Sequence, residues 1–546
     1  MRGSHNLDSR RYAMPAPREE SPHVDVLIVG SGPVGAAFAR TLVEADPRKK
    51  ILMVDLGAQL TASPGTNAKN IYLYNYGEDG LDTLSQIVKG ELTITSRPIS
   101  QPWPENLGPI SQPRFPPVKY QINGGNPDQA DWDNIPAAAS SFNIGGMGAH
   151  WTCCTPRPTE IERIPFIDEM EWNALITRAE ALLKTSQDSF VESFRGQVVR
   201  ETLAELLDDS LPKGRKVQML PLASERQSAT WVEWTGVDTI LGPLGRAGEI
   251  SIDRFELRPE TICRELLIEG DRVVGAKVEH LPSLQNQIIR ANLVIVAANA
   301  FYTPQLLWKS NIRPRVLGHY LNDQPMAFCQ IVLKHDLLKK IGERWDAPPP
   351  DVDPVPIPVD DPIPNVWIPF SYPEHPFHCQ IHRDAFPYSI LPGNVGIDHR
   401  AIIDLRWFTR KEVRFEDHIS FSERNVDIYG MPQITFHYTL TEEDGKSIQA
   451  AMSDMTRCAE SLGAFLPGAE PQILARGSSL HFQGTFRMGV QEQDSVCDPY
   501  SKVWGFRNLY VGGNGIIPTS TACNPTLTSV TLALRACEQI INGWRA

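Results

Sequence analysis

The sequence predicts an α/β protein built around a Rossmann-type dinucleotide-binding sheet, and three stretches carry that prediction. VDVLIVGSGPVGAAFARTLVEADPRKKILMVDLG (24–57) runs apolar strand, glycine-rich turn, alanine-rich helix and second apolar strand. RFELRPETICRELLIEGDRVVGAKVEH (254–280) reads as strands joined by a tight Glu-Gly-Asp-Arg turn. ANLVIVAANAFYTPQLLWKSN (291–311) adds a buried strand followed by a helix, which places a small antiparallel meander inside the parallel sheet.

In the first stretch, strand Val26–Val29 leads into Gly30, Gly32 and Gly35. Gly30 makes the tight turn, Gly32 admits a pyrophosphate to the backbone, and Gly35 lets helix and strand pack closely. The free N–H groups and positive dipole of the helix N-terminus suit phosphates. Asp55 closes the second apolar run and would accept hydrogen bonds from a ribose diol. FAD and NAD fit this unit equally. From Gly57 to about Pro116 the patterning weakens into an arm, and helical periodicity returns in EMEWNALITRAEALLKTS (169–186). The proline-dense segment 347–369 excludes a helix or a central strand and predicts an extended surface excursion. Strand-like alternation resumes in FHCQIHRDAF (377–386) and AIIDLRWF (401–408).

Composition narrows the function classes. A net charge of -13 argues against nucleic acid and anionic membrane surfaces as partners. No apolar run reaches the roughly 18 to 20 residues that span a bilayer. The N-terminus MRGSHNLDSRRYAM lacks the apolar core of a secretory signal, so residues 1–20 are expected to be disordered. The nine cysteines are scattered without a CxxC pair, and the adjacent Cys153 and Cys154 are poorly placed to bond each other. Free thiols in a reducing cytoplasm are the expected state. No metal site is expected, because His and Cys show no ligand spacing. No internal repeat is visible.

The chemistry concentrates late in the chain. SSLHFQGTFRMG (478–489) places His481 before a Gly-Thr turn. NLYVGGNGIIPTSTACNPTLTSVTLALRACEQI (508–540) runs strand, Gly512-Gly513 turn, then Asn524-Pro525-Thr526 opening a long helix. Pro525 suits the first helical turn and Asn524 the cap. The N–H groups of that helix could face an anionic ring and stabilise charge developing on it. A lone His481 would read as a packed core ring.

Together the Gly30 fingerprint, His481 with GTFRMG, and GGNGIIPT with NPT resemble the glucose-methanol-choline (GMC) oxidoreductases. SQIVKGELTITSRP, GGMGAHWTCCTPRP, QIHRDAFPYS, DLRWF and NPTLTSVTLALRACE are similar, more narrowly, to the pyranose 2-oxidases. The resemblance implies the GMC fold: a Rossmann-type FAD-binding domain and an α+β substrate-binding domain on an antiparallel sheet. Its boundaries are expected at 21–60, 130–165, 215–312 and 475–546 for the first, with 61–129, 166–214 and 313–474 forming the second and the arm.

The resemblance further implies that His481 takes the substrate hydroxyl proton while hydride passes to the flavin, and that Asn524 orients the sugar oxygen. Gln380 and His382 match positions lining the sugar site; Asp384, Phe386 and Tyr388 match a loop that closes over it. Pro387 replaces a small polar residue there and stiffens the loop, and Arg406 completes the site. Read alone, these would be ordinary edge-strand residues. Thr152, Cys263, Gly513, Asn514 and Thr526 are implied cofactor contacts. His150 matches the histidine that fungal pyranose oxidases join to the flavin 8α-methyl group. Here GAH stands where those enzymes carry a hydroxyl-bearing pair, and covalent attachment is left open.

The implied activity is FAD-dependent oxidation of a secondary hydroxyl (C2 or C3) of a pyranose or glycoside, with O2 reduced to H2O2. Alternatives are a C- or O-glycoside 3-oxidase, a quinone-dependent sugar dehydrogenase and a flavin-containing lyase. An NAD dehydrogenase does not explain the second glycine motif. The chain is shorter than the tetrameric fungal enzymes, so oligomeric state is not inherited from them.

Overall fold

The computed structural model describes residues 22–70, 92–98, 121–122, 125–129, 134–228, 231–246, 254–382 and 397–545. The expected disordered N-terminus, most of the arm, and Asp384, Phe386, Pro387 and Tyr388 lie outside these residues.

Strand β1 (His23–Val29), helix α1 (Pro33–Ala45) and strand β2 (Ile51–Val54) form the βαβ unit, with β1 and β2 parallel from Val26↔Ile51 to Val29↔Val54. Alanines at 36, 37 and 39 bring α1 close to the sheet, and Phe38 and Leu42 fill the remaining space. Helix α2 (Glu169–Leu183) starts where the Asp168 carboxylate accepts from Met170 N and Glu171 N. Strands β3 (Phe255–Arg258), β4 (Thr261–Glu269), β5 (Arg272–His280) and β6 (Gln285–Val296) complete the order β3-β2-β1-β6-β5-β4. β1 lies along one edge of β6. The other edge is shared: β5 pairs antiparallel with Gln285–Arg290, and Leu509–Val511 pairs parallel with Val294–Val296. The expected meander is therefore attached at one end of a parallel sheet. Helix α3 (Asn299–Lys309) follows β6.

A second sheet is antiparallel: Gly463–Phe465, β7 (Met326–Leu333), β10 (Ile402–Thr409), β9 (Phe377–His382), β8 (Asn365–Ile368), then Gln218–Met219. The hairpin of β11 (His418–Val426) and β12 (Pro432–His437) follows, then helix α4 (Glu442–Leu462), opened by a Thr441–Asp444 capping box. The chain ends in α5 (Thr526–Arg545). All residues of β9 and β10 are buried, so both faces of this sheet are covered. Phe377, Cys379 and Ile381 join the core that Met455, Cys458 and Leu462 of α4 complete. The two-residue period puts His378, Gln380 and His382 on the opposite face.

The proline-rich segment departs from expectation. Strand β8 lies within it, fully buried and paired on both sides, by β9 and by Gln218–Met219. The four residues after Pro364 and before Pro369 carry no proline, and this gap is long enough for ladder hydrogen bonds. The segment is also tied inward, because Arg195 Nε donates to Asp361 Oδ2 at 2.7 Å with both side chains buried.

Candidate active site

A long cleft runs from the β1–α1 turn to the start of α5. Gly30, Gly32, Asp55, Cys263, Gly513, Asn514 and Thr526 all line it, as do Met147, Gly148 and Trp151. Gly30 has φ +105°, and a Cβ there would run into the Ala297 carbonyl; one on Gly35 would run into the Gly30 carbonyl. Gly35 thus packs behind the cleft. At Gly32, which caps α1 without a side-chain hydrogen bond, the nearest atom to an added Cβ is 3.9 Å away. The Asp55 carboxylate accepts from Ser31 N and Oγ, both at 2.7 Å, and from Gly57 N at 2.7 Å. Burial raises its pKa against these donors. Ser31 Oγ accepts from Gly145 N at 2.9 Å, which ties the phosphate turn to the GGMGAH segment.

His150 and Thr152 flank the cleft residues Gly148 and Trp151 without lining the cleft. The Ser141 hydroxyl donates to Asn143 Oδ1 at 2.6 Å, so at 2.6 Å from His150 Nε2 it is the acceptor of that ring's N–H. Nδ1 of His150 is left with its lone pair. Burial holds this imidazole down to about 4, hence neutral near pH 7.

Where the cleft reaches Leu480 and Phe482, His481 meets the NPT segment. Leu480 is left-handed (φ +58°), a costly backbone for a bulky residue and a sign of a constrained turn. His481 Nδ1 lies 2.7 Å from Gln324 Oε1, and Asn524 Nδ2 lies 3.1 Å from His481 Nε2. Asn524 Oδ1 accepts from Gln380 Nε2 at 2.7 Å and lies 3.0 Å from His378 Nε2. The Asn524 side chain is therefore spent on the site, and the expected cap of α5 is not made by it. Arg406 pairs in register with Gln380 across β9 and β10, and His382 with Asp404. Burial first, then the Arg406 guanidinium, hold His481 down to about 3. Sequence reasoning missed His378, Gln324 and Glu162. The last is a buried carboxylate that accepts from Ala522 N at 2.7 Å and Cys523 N at 3.2 Å, shaping the turn before Asn524. His378 was findable, since it stands two residues before Gln380 on the same strand face.

None of the nine cysteines is in a disulfide and all are buried, which pushes the Cys153 and Cys263 thiols up. Among the described residues one grouping of metal-ligand type forms, which the linear spacing of His and Cys does not show: the ligand atoms of His375, Cys379 and Asp454 lie within 4.8 Å of one another. The strand turn before β9 and helix α4 bring them together. Asp454 already accepts from His375, Trp407 and Arg457.

A family model described as GMC oxidoreductase matches residues 418–533. The chain is 38% identical to a pyranose 2-oxidase of Tricholoma matsutake, covering 95% of this chain and 94% of that protein. It is also 38% identical to a C-glycoside 3-oxidase of Microbacterium trichothecenolyticum, covering 95% and 96%. The chain belongs to the GMC oxidoreductase family. A crystal structure of pyridoxine 4-oxidase from Mesorbium loti shares the GMC fold, with TM-score 0.60, 15% identity and coverage of 94% and 99%. GMC oxidoreductases are FAD flavoproteins, and this cleft suits FAD. It offers a carboxylate for the ribose, an uncapped helix N-terminus beside an open glycine for the phosphates, and the start of α5 at its far end. Among the described residues, no helix is long and apolar enough to cross a membrane.

Proposed function

We propose that this GMC oxidoreductase is an FAD-dependent sugar oxidase that converts a secondary hydroxyl (C2 or C3) of a pyranose or glycoside to a ketone. The observation that carries this reading is the His481–Asn524 pair, whose chain neighbours Leu480, Phe482 and Thr526 line the cofactor cleft. Nδ1–H of His481 is spent on Gln324, so Nε2 carries the lone pair; it accepts from Asn524 Nδ2 at 3.1 Å, and a substrate hydroxyl that takes that place would give its proton to Nε2. Asn524 Nδ2, beside that nitrogen, would orient the substrate oxygen. Gln380, His382 and Arg406 line the sugar site, and Asp384, Phe386 and Tyr388 belong to its loop. When bound, FAD would supply the hydride acceptor, with O2 as the final electron acceptor, or a quinone in a dehydrogenase variant. Gly30, Gly32, Asp55, Cys263, Gly513, Asn514 and Thr526 line the cleft and would hold the cofactor; Gly35 supports the turn from behind, and His150 and Thr152, beside the cleft residues Gly148 and Trp151, would meet it at the flavin end. The FAD-binding domain takes 21–60, 130–165, 215–312 and 475–546, and the remainder after residue 60 forms the substrate domain and arm. Nine buried cysteines, none in a disulfide, support a cytoplasmic setting.

Equal similarity to a C-glycoside 3-oxidase supports a second reading, a glycoside oxidised at C3. Anaerobic mixing with glucose and with aryl C- and O-glycosides tests both, with NMR of the keto product. Sugar-dependent bleaching of the flavin is expected. A flavin that no sugar bleaches overturns the proposal.

A further inference from the structure

The polar chain through the site is anchored at both ends by groups whose hydrogen-bond polarity is unambiguous. At one end Gln324 Nε2 lies 2.8 Å from the Cys523 carbonyl oxygen, which only accepts. The Gln324 amide is thereby oriented with Oε1 toward His481 Nδ1, so Nδ1 carries the proton and Nε2 the lone pair. At the other end Trp367 Nε1–H, which only donates, lies 2.9 Å from His378 Nδ1. The neutral His378 ring then carries its proton on Nε2 and donates to Asn524 Oδ1 at 3.0 Å. Gln380 Nε2 converges on the same oxygen at 2.7 Å, and it stands 2.9 Å from His378 Nε2, so two crowded donors share one acceptor. Both ends require the same orientation of Asn524: Oδ1 toward β9, Nδ2 toward His481.

Trp367 is on β8 and His378 on β9, and both are buried. Neither lines the cofactor cleft. The polar pair adds one thing, a donor of fixed direction on Asn524 Oδ1. If the Asn524 amide turned over, its oxygen would face His481 Nε2 and pull the imidazole proton to that nitrogen. The base position would then be blocked, and Gln324 Oε1 would face a lone pair.

We propose that His378, held by Trp367, is a positioning residue that orients the Asn524 amide and thereby keeps Nε2 of His481 unprotonated, as the nitrogen that serves as the base once a substrate hydroxyl replaces Asn524 Nδ2 on it. The role rests on the sugar-oxidase reading for its consequence in turnover, but the tautomer itself does not. Burial acts in the same direction, since His378 is held down to about 3 and stays neutral.

Two variants of the FAD-loaded protein test it. His378→Leu keeps the bulk and removes the donor. His378→Gln places an amide N–H near the position of Nε2 and restores it. Long-range proton–nitrogen spectra of histidine-labelled protein report which His481 nitrogen is protonated, with no substrate present. The expected result is Nδ1–H in the wild type and in His378→Gln, with Nε2–H appearing in His378→Leu and in His378→Leu/Gln380→Leu. In anaerobic flavin reduction, His378→Leu should lower the rate about tenfold with KM little changed, the double variant should lower it further, and His378→Gln should recover it. Unaltered Nδ1–H protonation of His481 in the double variant overturns the proposal, as does a full flavin-reduction rate in that protein. If no sugar reduces the wild-type flavin, the sugar-oxidase reading falls while the spectra still decide the tautomer.

Discussion

The two ends of the cofactor cleft are built from different materials. At the β1–α1 end most of the chemistry belongs to the backbone: helix N–H groups and glycines without a Cβ, joined by the single Asp55 carboxylate and supplied by one run of about thirty residues. At the His481 end it belongs to side chains from separate segments, namely Gln324, Trp367, His378, Gln380, His481 and Asn524. A backbone site fails when something is added to it. A side-chain site fails when a donor or acceptor is removed or turned. The contrast can be broken at either end.

The largest effect is expected at the backbone end. Gly35→Val drives a branched side chain into the Gly30 carbonyl, and neither helix nor strand can yield without moving the phosphate turn. The cost is at least about 3 kcal/mol of stability, with loss of the cofactor. Gly543→Val is the control, because a Cβ there meets nothing within 4 Å. The ratio of flavin to protein absorbance, with thermal unfolding, checks both. A Gly35→Val protein that purifies fully yellow with an unchanged Tm contradicts this account of the turn.

Next in size is His481→Ala. It deletes the base and adds no bulk, so the flavin should remain bound while the reductive half-reaction slows by roughly 10²- to 10⁴-fold. Stopped-flow bleaching of the oxidised flavin band measures it. Turnover within a few-fold of wild type would remove His481 from the chemistry and return it to the status of a packed ring.

The same contrast explains what could be read from the sequence. The βαβ unit and the meander are contiguous stretches with a strong period, and they fold as predicted because each element's pattern, turn and burial agree. Strand β8 was hidden, because eight prolines between Pro348 and Pro364 mask four strand residues whose pairing is decided by β9 and Gln218–Met219. Asn524 looked like a helix cap from its place before Pro525, yet His378, Gln380 and His481 compete for its side chain and hold it. His481 and Asn524 were legible through a resemblance to known enzymes. Gln324 and Trp367 carry no local signature, since a glutamine or a tryptophan in a strand region reads as core or edge until its partner is known. Long-range polarity matching has no period.

The smallest expected effect concerns pH. Burial holds the His481 pKa well below the ordinary 6.5, to about 3, and does the same to His378 and, to about 4, to His150. In the folded protein these rings stay neutral, whereas in the unfolded chain each takes up a proton below about 6.5. The unfolded state therefore binds more protons between pH 6.5 and the folded values. Their contribution to stability is fully present above pH 6.5 and is lost as pH falls through that window. The rate behaves otherwise, because a base already neutral at pH 7 gains nothing from further alkali. Flavin reduction should stay flat from pH 8 down to about pH 5, while Tm falls over the lower part of that range. An acid limb in the reduction rate centred near 6.5, with no matching loss of Tm, would mean that His481 titrates as an exposed histidine does. The side-chain end of the cleft would then be wetter than its packing indicates.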